Sequence, residues 1–211
     1  MSAKADRPQA GAAPNGLMRV LDAAFGHPRG LAGRLGGTVM AWGNRRQERW
    51  AVDRAELRPG HRVIMVGCGP GVGVALAIEQ VFPSGFVRGV DPSATMRAMA
   101  NRRCAGPIAA GAVEISEGTA EHTSCTDQSM DVAISVNNVM LWERVPGFTE
   151  MFRALRPGGL LVLTVHRHVL PDPADNLRTH AVAAGFVDVT LTERRRRWNS
   201  PAVELIARRP R

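Results

Sequence analysis

The chain of 211 residues has no tyrosine, and Lys4 is the only lysine among its 27 basic residues. Without a phenol, any general base must be His, Asp, Glu or water. Without further lysines, the net charge of +8 rests almost wholly on arginine, in company with abundant alanine and glycine. That combination reads as the codon bias of a GC-rich genome before it reads as a nucleic-acid footprint, and Arg194-Arg195-Arg196-Arg197 reads as a solvated face. Cysteine is scarce. Cys68, Cys104 and Cys125 lie far apart, with no Cys-x-x-Cys pair and no histidine at metal-ligand spacing. No metal is expected, and the three read as small thiols, buried or in loops, in a reducing compartment. There is no run of eighteen apolar residues, and the N-terminus lacks the hydrophobic core of a signal peptide. These absences predict a soluble, cytoplasmic protein without a membrane span.

The length suits one domain with a full core. Residues 1–14 are rich in Ala, Gly, Pro and charge, and read as a disordered tail. Residues 15–57 read as N-terminal helices. Leu17, Leu21, Ala24 and Phe25 recur at helical spacing until Gly26-His27-Pro28, and Leu31, Leu35 and Met40 continue as a broken helix. A further helix is expected from about Arg45 to Leu57, with Asn44 as its cap and Gln47 in the reciprocal capping position. These helices cover the edge of the sheet or form a lid over its pocket. Residues 58–211 form the core of the same domain.

The organising stretch is Arg62 to Gly73, Arg-Val-Ile-Met-Val-Gly-Cys-Gly-Pro-Gly-Val-Gly. Val63 to Val66 suit a strand buried on both faces, and the glycines after it allow a tight turn and a close approach to a ligand. Val74 to Val81 read as a helix, and Phe86 to Val90 as a second strand closing on Asp91. A carboxylate at the mouth of a glycine loop is a nucleoside site. The dinucleotide fingerprint needs glycines at relative positions one, three and six, yet the sixth position is Val72 counted from Gly67 and Val74 counted from Gly69. A dinucleotide is disfavoured on that spacing.

Further on, a helix is expected from Pro92-Ser93 to about Arg103, with Met96 and Met99 on its apolar side. Ala112 to Ile115 and Asp131 to Ser135 read as strands, with a polar loop from Gly118 to Thr126 between them. Glu143 to Leu155 read as a helix, Leu160 to Val165 as the fifth strand, and residues 174–184 as the last helix. Phe186 to Thr192 and Ala202 to Ala207 read as two closing strands. Alternating strands and helices predict an α/β fold, a parallel sheet covered on both faces.

Five landmarks in order carry a resemblance: Leu57-Arg58-Pro59-Gly60, the glycine motif, Gly89-Val90-Asp91-Pro92-Ser93, Ser135-Val136-Asn137-Asn138, and Leu155-Arg156-Pro157-Gly158-Gly159. Together they resemble class I S-adenosylmethionine-dependent methyltransferases. The small-molecule group that includes the ubiquinone and menaquinone biosynthesis methyltransferases is the nearest in flavour. The resemblance implies a Rossmann-like, doubly wound, seven-stranded sheet with a final antiparallel hairpin, and S-adenosyl-L-methionine as cofactor.

By the same resemblance Gly67, Cys68, Gly69 and Gly71 form the loop at the methionine moiety, and Asp91 accepts both ribose hydroxyls. Pro92 and Met96 lie near the adenine, and Asn137 lies beside the sulfonium. Each has a plainer reading: helix cap for Asp91, helix start for Pro92, core for Met96, turn residue for Asn137. Two positions depart from the family. An acid is usual two residues before the first glycine, where this chain has Met65, and another after the third strand, where it has Thr119. Thr119 would accept from the adenine amino group without charge assistance, with the backbone of Ala120 serving the ring.

His166 and His168 follow the fifth strand, on the side where such sheets place ligands, and are the candidates for a catalytic base; otherwise they are solvated loop histidines. Only a short loop, His166 to about Pro173, precedes the last helix, which implies a small or partly exposed acceptor. Asn137-Asn138-Val139-Met140 lacks the two prolines and aromatic that mark methylation of base amino groups, so nucleic acid is not the expected partner. The expected function is methyl transfer to O, N or C of a small organic acceptor. The alternatives are a cofactor-binding protein without transfer activity, or an RNA methyltransferase using the arginine surface.

Overall fold

Alternate residues of a strand face opposite sides, so each apolar run of this chain demands cover above and below the sheet. The computed structural model describes residues 45–195 and 200–211. Helix α1 spans residues 45–54. After it come β1 (Arg62–Val66), α2 (Val72–Val81), β2 (Phe86–Val90), α3 (Ala94–Arg103), the short α4 (Ala105–Ala109) and β3 (Val113–Ser116). The second half holds β4 (Met130–Val136), α5 (Arg144–Ala154), β5 (Leu155–His166), α6 (Asp175–Ala183), β6 (Val187–Arg194) and β7 (Ala202–Arg208). Single 3₁₀ turns occupy Val139–Leu141 and Arg167–Val169.

The strands form one seven-stranded sheet in the order β3-β2-β1-β4-β5-β7-β6. The first five strands run parallel, and β7 lies antiparallel between β5 and β6. The expected fold, mostly parallel with a final antiparallel pair, is therefore present. From β1 the chain winds outward to β2 and β3, then returns to β4 on the other side of β1. The carboxyl ends of β1 and β4 thus frame the crevice where doubly wound sheets hold ligands.

Each face has its own core. Val63 and Met65 of β1, with Val132, Ile134 and Val136 of β4, pack under α1 and α2 through Ala51, Val52, Ala55, Val74, Ala77 and Ile78. Ile64 and Val66 point the other way, joining Leu161, Leu163 and Val165 of β5 beneath Phe148 and Met151 of α5 and Leu177 of α6. Side chains as fully buried as Phe148, Ile64 and Leu161 contribute about 1.5 to 3 kcal/mol each. At the far edge β6 is mostly exposed, with charge and threonine blunting its free side.

Three expectations need correction. The fifth strand begins at Leu155 rather than at Leu160, and the helix before it ends at Ala154: Leu155 pairs with Met130, and a register shift between Met130 and Val132 absorbs the glycines. Gly158 takes φ 78° there, and its N–H donates to the Arg209 carbonyl at 3.0 Å. Helix α1 ends at residue 54 rather than at Leu57. Gln47 is buried, and its amide bonds to two strand ends, as described below, while the cap residue expected to reciprocate, Asn44, lies outside the described residues. Helix α4 was not anticipated. The tail, the earlier N-terminal helices, Asn44 and the Arg196-Arg197 pair lie outside the described residues. Cys68, Cys104 and Cys125 are free and buried. Among the described residues no helix is long and apolar enough to cross a membrane.

Candidate cofactor site

The glycine loop leaves β1 through left-handed backbone at Gly67 (φ 61°) and Gly71 (φ 80°), a conformation that costs other residues about 1 to 2 kcal/mol. Packing restricts the same positions. A Cβ on Gly67 would lie 2.4 Å from Nδ2 of Asn138, and one on Gly71 would lie 2.9 Å from Cα and Cβ of Ala100 in α3. Gly69 is different. Among the described residues, its two chain neighbours aside, no atom lies within 4 Å of where its Cβ would stand, so among them the loop is closed by packing on either side and open at its middle.

Asp91 ends β2 and is buried. Its Oδ2 accepts the Gly69 N–H at 2.9 Å and its Oδ1 the Ser93 N–H at 2.9 Å. The cap of α3 falls to Ser93, whose Oγ accepts the Met96 N–H at 3.4 Å. Asp91 therefore joins the loop of β1 to the turn of β2. Arg97 braces that turn, donating from Nη1 to the carbonyls of Asp91 and Pro92 at 2.9 and 2.8 Å. Pro92 is half-buried, and Met96 is buried. The Cys68 side chain turns inward, its Sγ 3.0 Å from where a Gly89 Cβ would stand. Burial, then the charges of Asp91 and Glu48, push its thiol well above the usual range. Its backbone makes the turn, donating to the Val90 carbonyl and accepting from Gly71, both at 3.0 Å.

Asn137 and Asn138 end β4 with different tasks. Asn137 adopts φ 55°, and its N–H donates to the Thr164 carbonyl at 2.8 Å. Its Oδ1 accepts the His166 N–H at 3.0 Å, and its Nδ2 donates to Oε1 of Gln47 at 3.1 Å. Gln47 in turn donates to Oγ1 of Thr164 at 2.8 Å, so α1 is fastened to the ends of β4 and β5. Asn138 reaches across to β1, donating to the Val66 carbonyl at 2.7 Å. Its Oδ1 accepts from Oγ of Ser135 and Nε1 of Trp142, each at 2.8 Å.

His166 is half-buried at the end of β5, and His168 is exposed, their ring centroids 5.4 Å apart. The His168 N–H donates to Oγ of Ser200 at 3.3 Å. Thr119 is exposed in the loop after β3, while Ala120 is buried beside Gly147 of α5. That loop is anchored just beyond: the hydroxyl and N–H of Thr123 donate to Oε1 of Glu150 at 2.6 and 3.0 Å. Burial raises the Glu150 carboxyl, but the bonds from Arg153 and Thr123 outweigh it and hold the group below the usual carboxylate range.

The structure brings the loop, Asp91 and Pro92 together at the ends of β1 and β2, with Asn137 and His166 in contact beyond β4. Thr119 and Ala120 stand on a separate loop. Gln47, Glu48 and Asn138 were missed as site residues. For the first two a signal existed, since positions 48, 51, 52 and 55 fall on one helical face and Gln47 and Glu48 head the stripe that buries Ala51, Val52 and Ala55. Oε2 of Glu48 is shut off from solvent and has no hydrogen-bond partner among the described residues.

Residues 63–159 match the family model of a methyltransferase domain. The chain is 26% identical over 165 residues to the uncharacterized methyltransferase YdaC of Bacillus subtilis (strain 168), covering 74% of this chain and 88% of that protein. It is 32% identical over 130 residues to a ubiquinone/menaquinone biosynthesis C-methyltransferase of Geotalea daltonii, covering 59% of this chain but only 54% of that relative. Among solved structures, phosphoethanolamine N-methyltransferase 2 of Haemonchus contortus, in complex with phosphomonomethylethanolamine and S-adenosylhomocysteine, superposes with a TM-score of 0.71. That match has 17% identity and covers 84% of this chain and 57% of that one, a likeness of fold. Sheet order, glycine loop and the matched segment are those of the class I S-adenosylmethionine-dependent methyltransferases, which this chain resembles. Residues 63–159 carry the match, and the ubiquinone/menaquinone biosynthesis methyltransferases are among the proteins the chain resembles.

Proposed function

We propose that this chain transfers a methyl group from S-adenosylmethionine to O, N or C of a small organic acceptor. The observation that supports this best is the loop itself, pinned by Asp91 and left open over Gly69 at the switch point of the sheet. In this reading Gly67, Gly69 and Gly71 border the methionyl part. Asp91 meets the ribose hydroxyls, a carboxylate suiting two adjacent donors. Pro92 and Met96 border the adenine, the Thr119 hydroxyl and the Ala120 backbone meet its polar edge, and Asn137 lies near the sulfonium.

The cofactor supplies a methyl already activated by a positive sulfur. The protein's task is to hold an acceptor in line with it and exclude water, a contribution on the order of 7 to 11 kcal/mol. Between β5 and α6 lie only a 3₁₀ turn and a few residues, so no inserted cap stands there. Cover for the acceptor therefore falls in this reading to α1, which suits a small molecule. His166, held at the mouth by Asn137, is the proposed base for an acceptor that carries a proton, with His168 beside it. Localisation in the cytoplasm and independence from nucleic acid belong to the same reading.

Titration calorimetry tests the first half: S-adenosylmethionine and S-adenosylhomocysteine should bind, and NAD and NADP should not. Tighter binding of a dinucleotide would overturn the assignment. Mass spectrometry of cell extract incubated with the protein and isotopically labelled cofactor methyl tests the second half. A labelled small molecule is the expected product. Cofactor binding without any labelled product would favour a non-catalytic binder, and labelled RNA with steeply salt-dependent binding would favour the RNA reading. With the acceptor found, His166→Ala should lower turnover by roughly 10² to 10⁴ and keep cofactor affinity. Unchanged turnover would remove it from catalysis.

A further inference from the structure

Glu48 is the least explained group near the site. Its Oε2 lies 2.3 Å from where a Cβ of Gly73 would stand, and the Met65 Cε lies 2.4 Å from the same point, so the carboxyl is wedged between the tip of Met65 and the first turn of α2. Its Oε2 makes no hydrogen bond to the described residues, although a carboxyl oxygen withdrawn from water ordinarily does. The titratable neighbours that act on Cys68 beside it are Asp91, Cys104 and Glu48 itself, none of them a cation. Arg103, the last residue of α3, gives its Nε to the Pro70 carbonyl, and Arg45, Arg46 and Arg49 on α1 are exposed. The first turn of α2, Val72 to Ala75, carries no titratable side chain. Among the described residues no positive side chain answers this carboxyl.

We propose that Glu48 is a cofactor-binding residue, whose carboxylate, carried in from α1, supplies the acid absent at Met65 and pairs with the positive methionyl end of the cofactor. The proposal rests on the S-adenosylmethionine reading. It explains why an acid tops the buried stripe of α1 and why Met65, on the strand, need not be one. Burial pushes the Glu48 carboxyl up to about 8, so without a cation it holds a proton at neutral pH. Arrival of a cation should expel that proton.

Between the usual carboxylate range and about 8 the folded chain holds a proton that the unfolded chain does not, so ligand-free stability falls as pH rises through that window. Glu48→Gln has no proton to lose and should melt no lower than wild type at pH 8.

Titration calorimetry at pH 7, in buffers of different protonation enthalpy, reads the linkage. Wild type should release roughly one proton per S-adenosylmethionine or S-adenosylhomocysteine bound. Glu48→Gln should release none and bind both ligands roughly ten- to a hundredfold more weakly. Cofactor binding by wild type without proton release overturns the role of Glu48 while leaving the cofactor reading intact, and this holds even if the variant fails to fold. Unchanged affinity and release in Glu48→Gln does the same. Failure of wild type to bind either adenosyl ligand overturns both.

Discussion

Asp91→Ala should weaken S-adenosylmethionine binding by roughly 3 kcal/mol or more, about a hundredfold. Two losses combine. The proposed contacts to the ribose disappear, worth about 1.5 to 3 kcal/mol for bonds to a charged group. The N–H groups of Gly69 and Ser93 also lose their acceptor, so the open middle of the loop is no longer held in place. Asp91→Asn keeps one acceptor oxygen but turns an NH₂ toward the other N–H, and should fall between alanine and wild type. Calorimetry gives the affinities, and a thermal melt shows whether the chain is still folded. An Asp91→Ala variant that melts normally and binds normally would exclude Asp91 from the site.

Asn138→Ala should be the most damaging change to stability among the site residues, about 3 kcal/mol, because one side chain serves three separate groups. The Val66 carbonyl loses its donor, while Oγ of Ser135 and Nε1 of Trp142 lose their acceptor. For a chain of this length the melting temperature should drop by about 6 to 12 °C. The emission of Trp142 should shift as its indole N–H is released. Asn138→Asp keeps the acceptor but sets a carboxylate against carbonyl oxygens, and should be no better than alanine. A melting temperature unchanged for both variants would show that this amide does not hold β4 to the loop.

These residues also mark where reading the sequence reached its limit. The strand carrying Val63 to Val66 and the glycines after it were legible because their signals are local: an apolar run, a break, a carboxylate one strand later. The sheet followed from the alternation of such units. Asn138 was legible only as part of a landmark, since its partner Val66 is 72 residues away. Gln47 reads locally as a capping residue, whereas the bonds its side chain makes among the described residues run to partners 117 and 90 residues away, which no local pattern signals. The extent of β5 was misjudged for a related reason. Pro157-Gly158-Gly159 carries every local mark of a turn, and only pairing with Met130 and Arg208 draws the flanking residues into the sheet.

The position of β7 bears on the order in which the sheet can be completed. Synthesis delivers β6 before β7, but β6 pairs only with β7. Until Ala202–Arg208 emerges, β5 presents an unfinished parallel edge and β6 has no neighbour at all. The last strand made then inserts between two strands already waiting, closing both edges in one event. Arg209 follows at once, its Nη1 donating to the carbonyls of Phe152 and Leu155, each at 2.7 Å. A ribosome stalled before residue 202 would therefore hold a nascent chain with a complete glycine loop and an open sheet, able to present its ligand crevice while still prone to pairing with another chain.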